Sequence, residues 1–289
     1  MLQEMWSGQT YWDKWKHSIY HKLQKVVNIM RFRTIKIKPY TIPVLLVALA
    51  GIILLAVFTT GKTIGDALVS ASARKLPVYA VDNEGSGDIA LTINCAWGAD
   101  DIPDILKILE KYNIKCTFFV LGVWVEKNPE ALKAIVDQGH EVGNHSYSHR
   151  LPSQSDEKQI EDEIKKCSEV VYSRTGVNPQ VYRAPSGDYN NSTIEIAEKY
   201  GMTAVQWSVD SIDWLKDRSA AEIINRVTGK TVSGSIILFH NDTNHTVEVL
   251  PEIIEHLQNE NYTFVKVSEL LLPGSTYIDN QGVQHIKKQ

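Results

Sequence analysis

Cysteine is sparse in this chain. Cys95, Cys116 and Cys167 are its only three, an odd number too small for a disulfide framework, and no Cys-x-x-Cys pair offers a zinc knuckle or a redox couple. Basic charge is confined to one end. The chain of 289 residues has a formal net charge of −4, yet residues 1–40 hold eight Lys/Arg against two acids, about +6, which leaves about −10 on the remainder. An acidic body argues against nucleic acid as a ligand. General disorder is excluded by the composition, 43% hydrophobic and 22% charged.

Long apolar runs are also few. Ile42–Phe58 is uncharged and apolar, broken only by Pro43 and Gly51, and is near the lower limit of a membrane span, roughly 17–25 residues. Arg31, Arg33, Lys36 and Lys38 precede it and only Lys62 follows closely. The positive-inside rule then leaves the N-terminus in the cytoplasm and everything after residue 60 outside. Upstream, Trp12, Trp15, Ile19, Leu23, Val26 and Met30 recur at three- to four-residue steps with lysines on the other faces. This basic amphipathic helix suits an anionic membrane surface or a partner protein. Ala71-Ser72-Ala73 offers a signal-peptide cleavage site, but far past the apolar run. The expected layout is a basic cytoplasmic segment at 1–40, an uncleaved transmembrane signal-anchor at 41–60 and a polar linker at 61–85. The main domain follows at 86–272, then a peripheral polar tail at 273–289.

From Ile89 onward strands and helices alternate. Strand-like runs fall at 89–93, 116–121, 203–207, 235–239 and 263–267, with weaker ones at 140–143 and 180–183. Helical periodicity occupies 101–112, 129–138, 156–174, 191–200, 219–230 and 247–259. Such alternation predicts a mostly parallel sheet. Polar residues recurring just after successive strands favour a (β/α) barrel over an open sheet.

Those strand ends carry the chemistry. In Asn144-His145-Ser146-Tyr147-Ser148-His149 the two histidines are four apart, and on a helical turn their imidazoles share one face, where they can share a metal. Arg183-Ala184-Pro185-Ser186, Asp210-Ser211-Ile212-Asp213-Trp214 and Leu238-Phe239-His240 end other runs. Asp210 serves a turn, His140 and Glu141 end a strand, and His245 is expected at the solvent surface.

In order and spacing these four segments resemble four of the five motifs of the polysaccharide deacetylases (NodB homology domain, carbohydrate esterase family 4), over about residues 86–272. The resemblance implies a distorted seven- or eight-stranded (β/α) barrel, here preceded by one transmembrane helix. It implies one divalent metal, usually zinc, and hydrolysis of the N-acetyl group on an amino sugar within a glycan. The Ala96-Trp97-Gly98 form behind a membrane segment looks like the sporulation and cell-wall members of Gram-positive bacteria. That would put the domain on the outer side of the cytoplasmic membrane, facing peptidoglycan or a chitin-like glycan.

Amide hydrolysis needs a polarised carbonyl, an activated water and a proton for the departing amine. His145 and His149 would hold the metal. His240 would supply the proton, oriented and kept protonated by Asp213. Trp214 and Leu238 would wall the acetyl pocket, and backbone N–H groups after Pro185 would hold the developing oxyanion. The family usually has Tyr where this chain has Ser186.

The first motif departs from the family. There the pattern is Thr-Phe-Asp-Asp-Gly, its first Asp the general base and its second a metal ligand; here it is Thr92-Ile93-Asn94-Cys95-Ala96. An amide cannot take up a proton, so Asn94 cannot serve as that base, and Arg183, which in the family braces the Asp, loses its charged partner. The third metal ligand is open among Cys95, Asp100 and Asp101. Two functions follow: a membrane-anchored, metal-dependent deacetylase, or a deacetylase-like glycan-binding protein without its base.

Overall fold

The computed structural model describes residues 74–287 apart from residue 84, together with residues 16–18, 20–22 and 24, which are helical and exposed. The chain divides into two units, Met1–Ala71 and Ser72–Gln289. Most of the basic helix expected over 11–30 and all of the apolar stretch 42–58 lie outside the described residues. Among the described residues no helix is long and apolar enough to cross a membrane.

The second unit is built on β2 (Asp88–Cys95), the longest strand of a parallel sheet. Its alternation sorts its side chains. Ile89, Leu91, Ile93 and Cys95 pack in the large cluster under the helices, whereas Ala90 joins a smaller cluster with Phe119, Val181, Val205 and Ile236. Thr92 and Asn94 share that second face by the two-residue period of a strand. Around β2 run β3 (Thr117–Val120), β4 (Glu141–Asn144), β5 (Val181–Tyr182) and β6 (Thr203–Ala204) on one side. On the other run β8 (Ile236–His240) and β7 (Val209–Asp210), while β9 (Thr263–Phe264) pairs with the start of β2.

The helices that cover this sheet announce themselves locally. In α1 (Ile102–Lys111), Pro103 opens the first turn and Ile102, Ile105, Leu106 and Leu109 are buried, each worth about 1.5–3 kcal/mol when fully removed from water. Helix α4 (Glu157–Thr175) starts at a capping box between Asp156 and Gln159 and stops at Gly176, whose φ of 71° suits a residue without a Cβ. The other covering helices are α2 (Gly122–Lys127), α3 (Pro129–Asp137), α5 (Asn191–Lys199), α6 (Ala220–Lys230), α7 (Thr246–Asn259) and α8 (Val267–Leu270).

The eight strands form a curled parallel half-barrel, consistent with the expected distorted (β/α) barrel and open between β6 and β7. Strands β5, β6 and β7 are two residues each, and the backbone between β6 and β7 is spent elsewhere. Gln206 N donates to Val78 O, and Gln206 O accepts from the Arg183 side chain. No ladder can close through groups already bonded.

Residues expected as linker and tail meet in a second sheet. Strand β1 (Ala80–Val81) pairs in parallel with β11 (Val283–Ile286), which pairs antiparallel with β10 (Thr276–Ile278). His285 lies between Asp82 (Nδ1–Oδ2 2.9 Å) and Asp279 (Nε2–Oδ2 3.2 Å) and stacks on Tyr277 at 5.1 Å. The hydrogen bond to Asp279, with Asp82 adding to it, raises the His285 pKa above 6.5 despite partial desolvation. A raised histidine pKa means that its stabilisation is complete below the unfolded value and fades as pH climbs through the folded one. Amide hydrogen-exchange protection of 276–286 is therefore expected to fall as pH rises above 6.5 through the raised His285 pKa, with His285→Gln flattening the dependence. A pH-independent protection in the natural chain would refute this role.

Candidate functional site

All the strands that matter end at one mouth. Asn94 and His240 are paired residues at the ends of β2 and β8, and the ladder continues through Val120 on β3 to Asn144 on β4 and Tyr182 on β5. His145 and Arg183 follow β4 and β5 directly. Carboxyl strand ends are where parallel barrels place their chemistry.

The segment 145–149 is not the helical turn expected. It is a loop in which Ser146 (φ 71°) and His149 (φ 66°) adopt left-handed conformations. Sequence reasoning missed what fixes it. The buried Asn144 side chain donates to Ile164 O (2.8 Å) and Ser168 Oγ (2.9 Å) and accepts from Ser146 N (2.8 Å). Ser148 N and Oγ both donate to Glu163 at 2.7 Å. The loop still brings the imidazoles together, ring centres 5.2 Å apart and nearly perpendicular. His145 Nδ1 bonds Arg183 O at 2.8 Å. A carbonyl only accepts, so Nδ1 carries the hydrogen and Nε2 keeps its lone pair. Burial lowers both histidine pKa values, that of His145 strongly, and their mutual proximity adds to it for His145.

Arg183 is fully buried. Its Nη1 donates to Thr92 Oγ1 (2.8 Å) and Asn94 Oδ1 (3.0 Å), and its Nη2 to Gln206 O (2.9 Å). Its Nε has no hydrogen-bond partner, and the guanidinium lies over the Phe119 ring at 4.0 Å. Gly143 makes room for that ring, since a Cβ there would stand 2.6 Å from Phe119. None of the hydrogen-bond partners is a carboxylate, and burial pushes the guanidinium pKa down to about 9. Because Asn94 Oδ1 faces Arg183, the other terminal group of that amide is an NH2. It is a donor where the family has a base.

On the opposite wall His240 and Asp213 form a tight pair. Asp213 Oδ1 lies 2.9 Å from His240 Nδ1, and Oδ2 accepts from His240 N (2.7 Å) and from Thr246 Oγ1 (2.6 Å). The carboxylate is 1% exposed. It fixes the imidazole with Nε2 as its remaining nitrogen. Thr246, at the start of α7, carried no sequence signal. Leu238 and Pro185 are buried beside these groups in chain order, while Ser186 is exposed with φ 54°. Of the backbone N–H groups after Pro185 expected as oxyanion donors, those of Gly187 and Asp188 are spent inside the turn on Ala184 O and Pro185 O.

The three carboxylate or thiol ligand candidates do not join the histidines. Cys95 is buried under the helices, which raises its thiol pKa well above the ordinary value, with Asp101 adding to it. Asp101 is a brace: its carboxylate accepts from Asp242 N (2.7 Å) and Asn241 Nδ2 (3.3 Å), and burial raises its pKa. Asp100 is exposed. Among the described residues no group of three His, Cys, Asp or Glu could hold a metal ion. Catalytic zinc rests on three protein ligands, so the two imidazoles alone do not make such a centre. His245, expected in solvent, has a largely buried ring whose nitrogens lack hydrogen bonds, with Nδ1 3.8 Å from Glu248.

A parallel α/β sheet with an Asp–His pair, two histidines and an arginine at its carboxyl mouth defines a hydrolase-type acid–base site. Residues 82–205 match the family model described as Polysaccharide deacetylase. The chain is 36% identical over 195 residues to the uncharacterized protein YlxY of Bacillus subtilis, covering 68% of this chain and 60% of YlxY. It is 33% identical over 188 residues to a peptidoglycan-N-acetylglucosamine deacetylase of Bacillus cereus, covering 63% of this chain and 87% of that protein. Among solved structures, BA3943 of Bacillus anthracis, described as a CE4 family pseudoenzyme, matches with a TM-score of 0.61 and 34% identity over 68% of this chain and 67% of that one. A mutant of BA3943 is described as having restored enzymatic activity. The chain belongs to the polysaccharide deacetylase family; it spans less than two thirds of YlxY.

Replacing Asp213 by Ala strips the acceptor from His240 N–H and His240 Nδ1–H at once and leaves the Thr246 hydroxyl only the His240 carbonyl. Leaving buried donors unpaired is expected to cost about 2–4 kcal/mol in urea unfolding. A loss below about 0.5 kcal/mol would show that this pair does not anchor the mouth.

Proposed function

We propose that the site is shaped for the N-acetyl group of an amino sugar in a cell-wall glycan such as peptidoglycan, and that hydrolysis is held back by the missing water-activating carboxylate. The observation that carries this is the 3.0 Å contact from Arg183 Nη1 to Asn94 Oδ1. It orients the amide so that its NH2 is the group left over, a donor suited to a carbonyl and unable to take a proton from water.

The rest of the constellation supports the same substrate. His240 Nε2, on an imidazole fixed by Asp213, can hold the proton that a departing amine needs. The imidazoles of His145 and His149 remain as two donors of a metal site; a bound divalent ion would polarise the acetyl carbonyl and the water. We propose zinc for this role only once a further ligand is supplied. Binding of glycan therefore outweighs turnover in the natural chain. The intact 2.9 Å His240–Asp213 pair favours a second reading, an active but slow deacetylase. The basic leader and the stretch 42–58 support tethering in the cytoplasmic membrane with the domain on the outer side, and the acidic remainder argues against a nucleic acid partner.

Acetate release from peptidoglycan, with and without added zinc, distinguishes these readings. General-base help is worth about 10²–10⁴-fold, so once Cys95→Asp supplies the further ligand, adding Asn94→Asp is expected to raise the rate by at least about 100-fold. Equal rates would mean that some other group activates the water.

A further inference from the structure

We infer that Trp97 completes an aromatic clamp on the glycan: Trp214 keeps its expected place at the acetyl pocket, and Trp97 holds a second sugar next to the residue held at His240. This rests on the glycan reading above. Both indoles are more than half exposed, Trp97 by 57% and Trp214 by 52%, and they line one cavity of about 310 Å³ with Asp213, Lys216, Asp242 and Asn244. That volume is at the small end of ligand pockets, ~300–1,000 Å³, the scale of a single sugar residue. The cavity adjoins the acid–base pair: Asp213 lines it, and the Trp97 ring centre lies 6.3 Å from that of His240, tilted by 40°.

The position of Trp97 is built. Gly98 N donates to Asp242 Oδ2 at 3.0 Å, and Gly98 O accepts from Trp124 Nε1 (2.7 Å) and Asn241 Nδ2 (2.6 Å). A Cβ on Gly98 would stand 3.0 Å from the Asp242 carboxylate, a tight approach to which that side chain would have to give way. Asp101 closes the brace through Asp242 N and Asn241 Nδ2. Three hydrogen bonds thus hold Gly98 beside Trp97, and two more to Asp101 hold their partners Asn241 and Asp242, while the indole stays exposed.

A large aromatic face kept exposed on a rigid loop beside a site is a binding surface. Sugars suit it: their axial C–H groups cover an indole face while their hydroxyls reach a polar rim, here Lys216, Asp242 and Asn244. Trp97 is a specificity residue for chain length, touching the neighbouring sugar and not the reacting amide.

The test is calorimetric titration of the full chain with N-acetylglucosamine and its tetramer. The natural chain is expected to bind the tetramer at least 10-fold more tightly than the monomer. Trp97→Ala should lose most of that gain with monomer affinity unchanged, and Trp97→Phe, which keeps a ring, should retain much of it. Circular dichroism confirms the fold of each variant. Tetramer binding by folded Trp97→Ala equal to that of the natural chain overturns the clamp and leaves the glycan reading standing. If the natural chain binds neither ligand nor purified peptidoglycan, the glycan reading falls and the clamp with it.

Discussion

A guanidinium buried without an acid is the constraint on which this site is arranged. Arg183 sits with no exposure, tied to a threonine hydroxyl, an amide oxygen and a backbone carbonyl. Neutral oxygens and the Phe119 face offset only part of the cost of removing a cation from water, and the lowered guanidinium pKa expresses the remainder. Its bond to Gln206 O engages the backbone between β6 and β7, where the sheet stays open. Its own carbonyl fixes the His145 tautomer. One residue thus links sheet edge, imidazole pair and the position of the lost base.

Two walls of the mouth are organised differently. On the His145 side, polar side chains from α4 and β4 force a loop with left-handed residues at 146 and 149. On the His240 side, Asp101, Asn241 and Asp242 lash the β2–α1 and β8–α7 loops together. Asp101, which proximity in sequence offered as a metal ligand, instead holds these loops in place. A residue cannot both brace a loop through two hydrogen bonds and donate to a metal across the mouth.

Much of this was legible in the sequence. The apolar runs at 89–93 and 235–239 located the two central strands, because both faces of each are buried. The shortest strands were blurred, since two-residue pairings leave no periodicity, and Val209–Asp210 passed unseen. The Asp213–His240 pair was readable from its motifs, whereas Asn144 and Thr246 were not; their roles depend on hydrogen bonds that only tertiary structure assembles. His145 and His149 were paired correctly on a helical argument that the loop does not obey. The departure at Asn94 and the loss of Arg183's charged partner were visible at once, whereas the full burial of the guanidinium was not. Residues 276–286 read as a polar tail because β11 alternates around a histidine that owes its place to Asp82 and Asp279.

The central claim is that Asn94 occupies the place of Arg183's counter-ion. A double-mutant cycle in unfolding free energy, combining Asn94→Asp with Arg183→Met, measures it directly. A close charge pair in contact couples by about 0.5–3 kcal/mol, and at this depth the account predicts a favourable coupling of at least about 1 kcal/mol, with Asn94→Asp tolerated beside Arg183 and costly beside Met. A coupling within about 0.3 kcal/mol of zero would show that the two positions are energetically independent and would contradict the account.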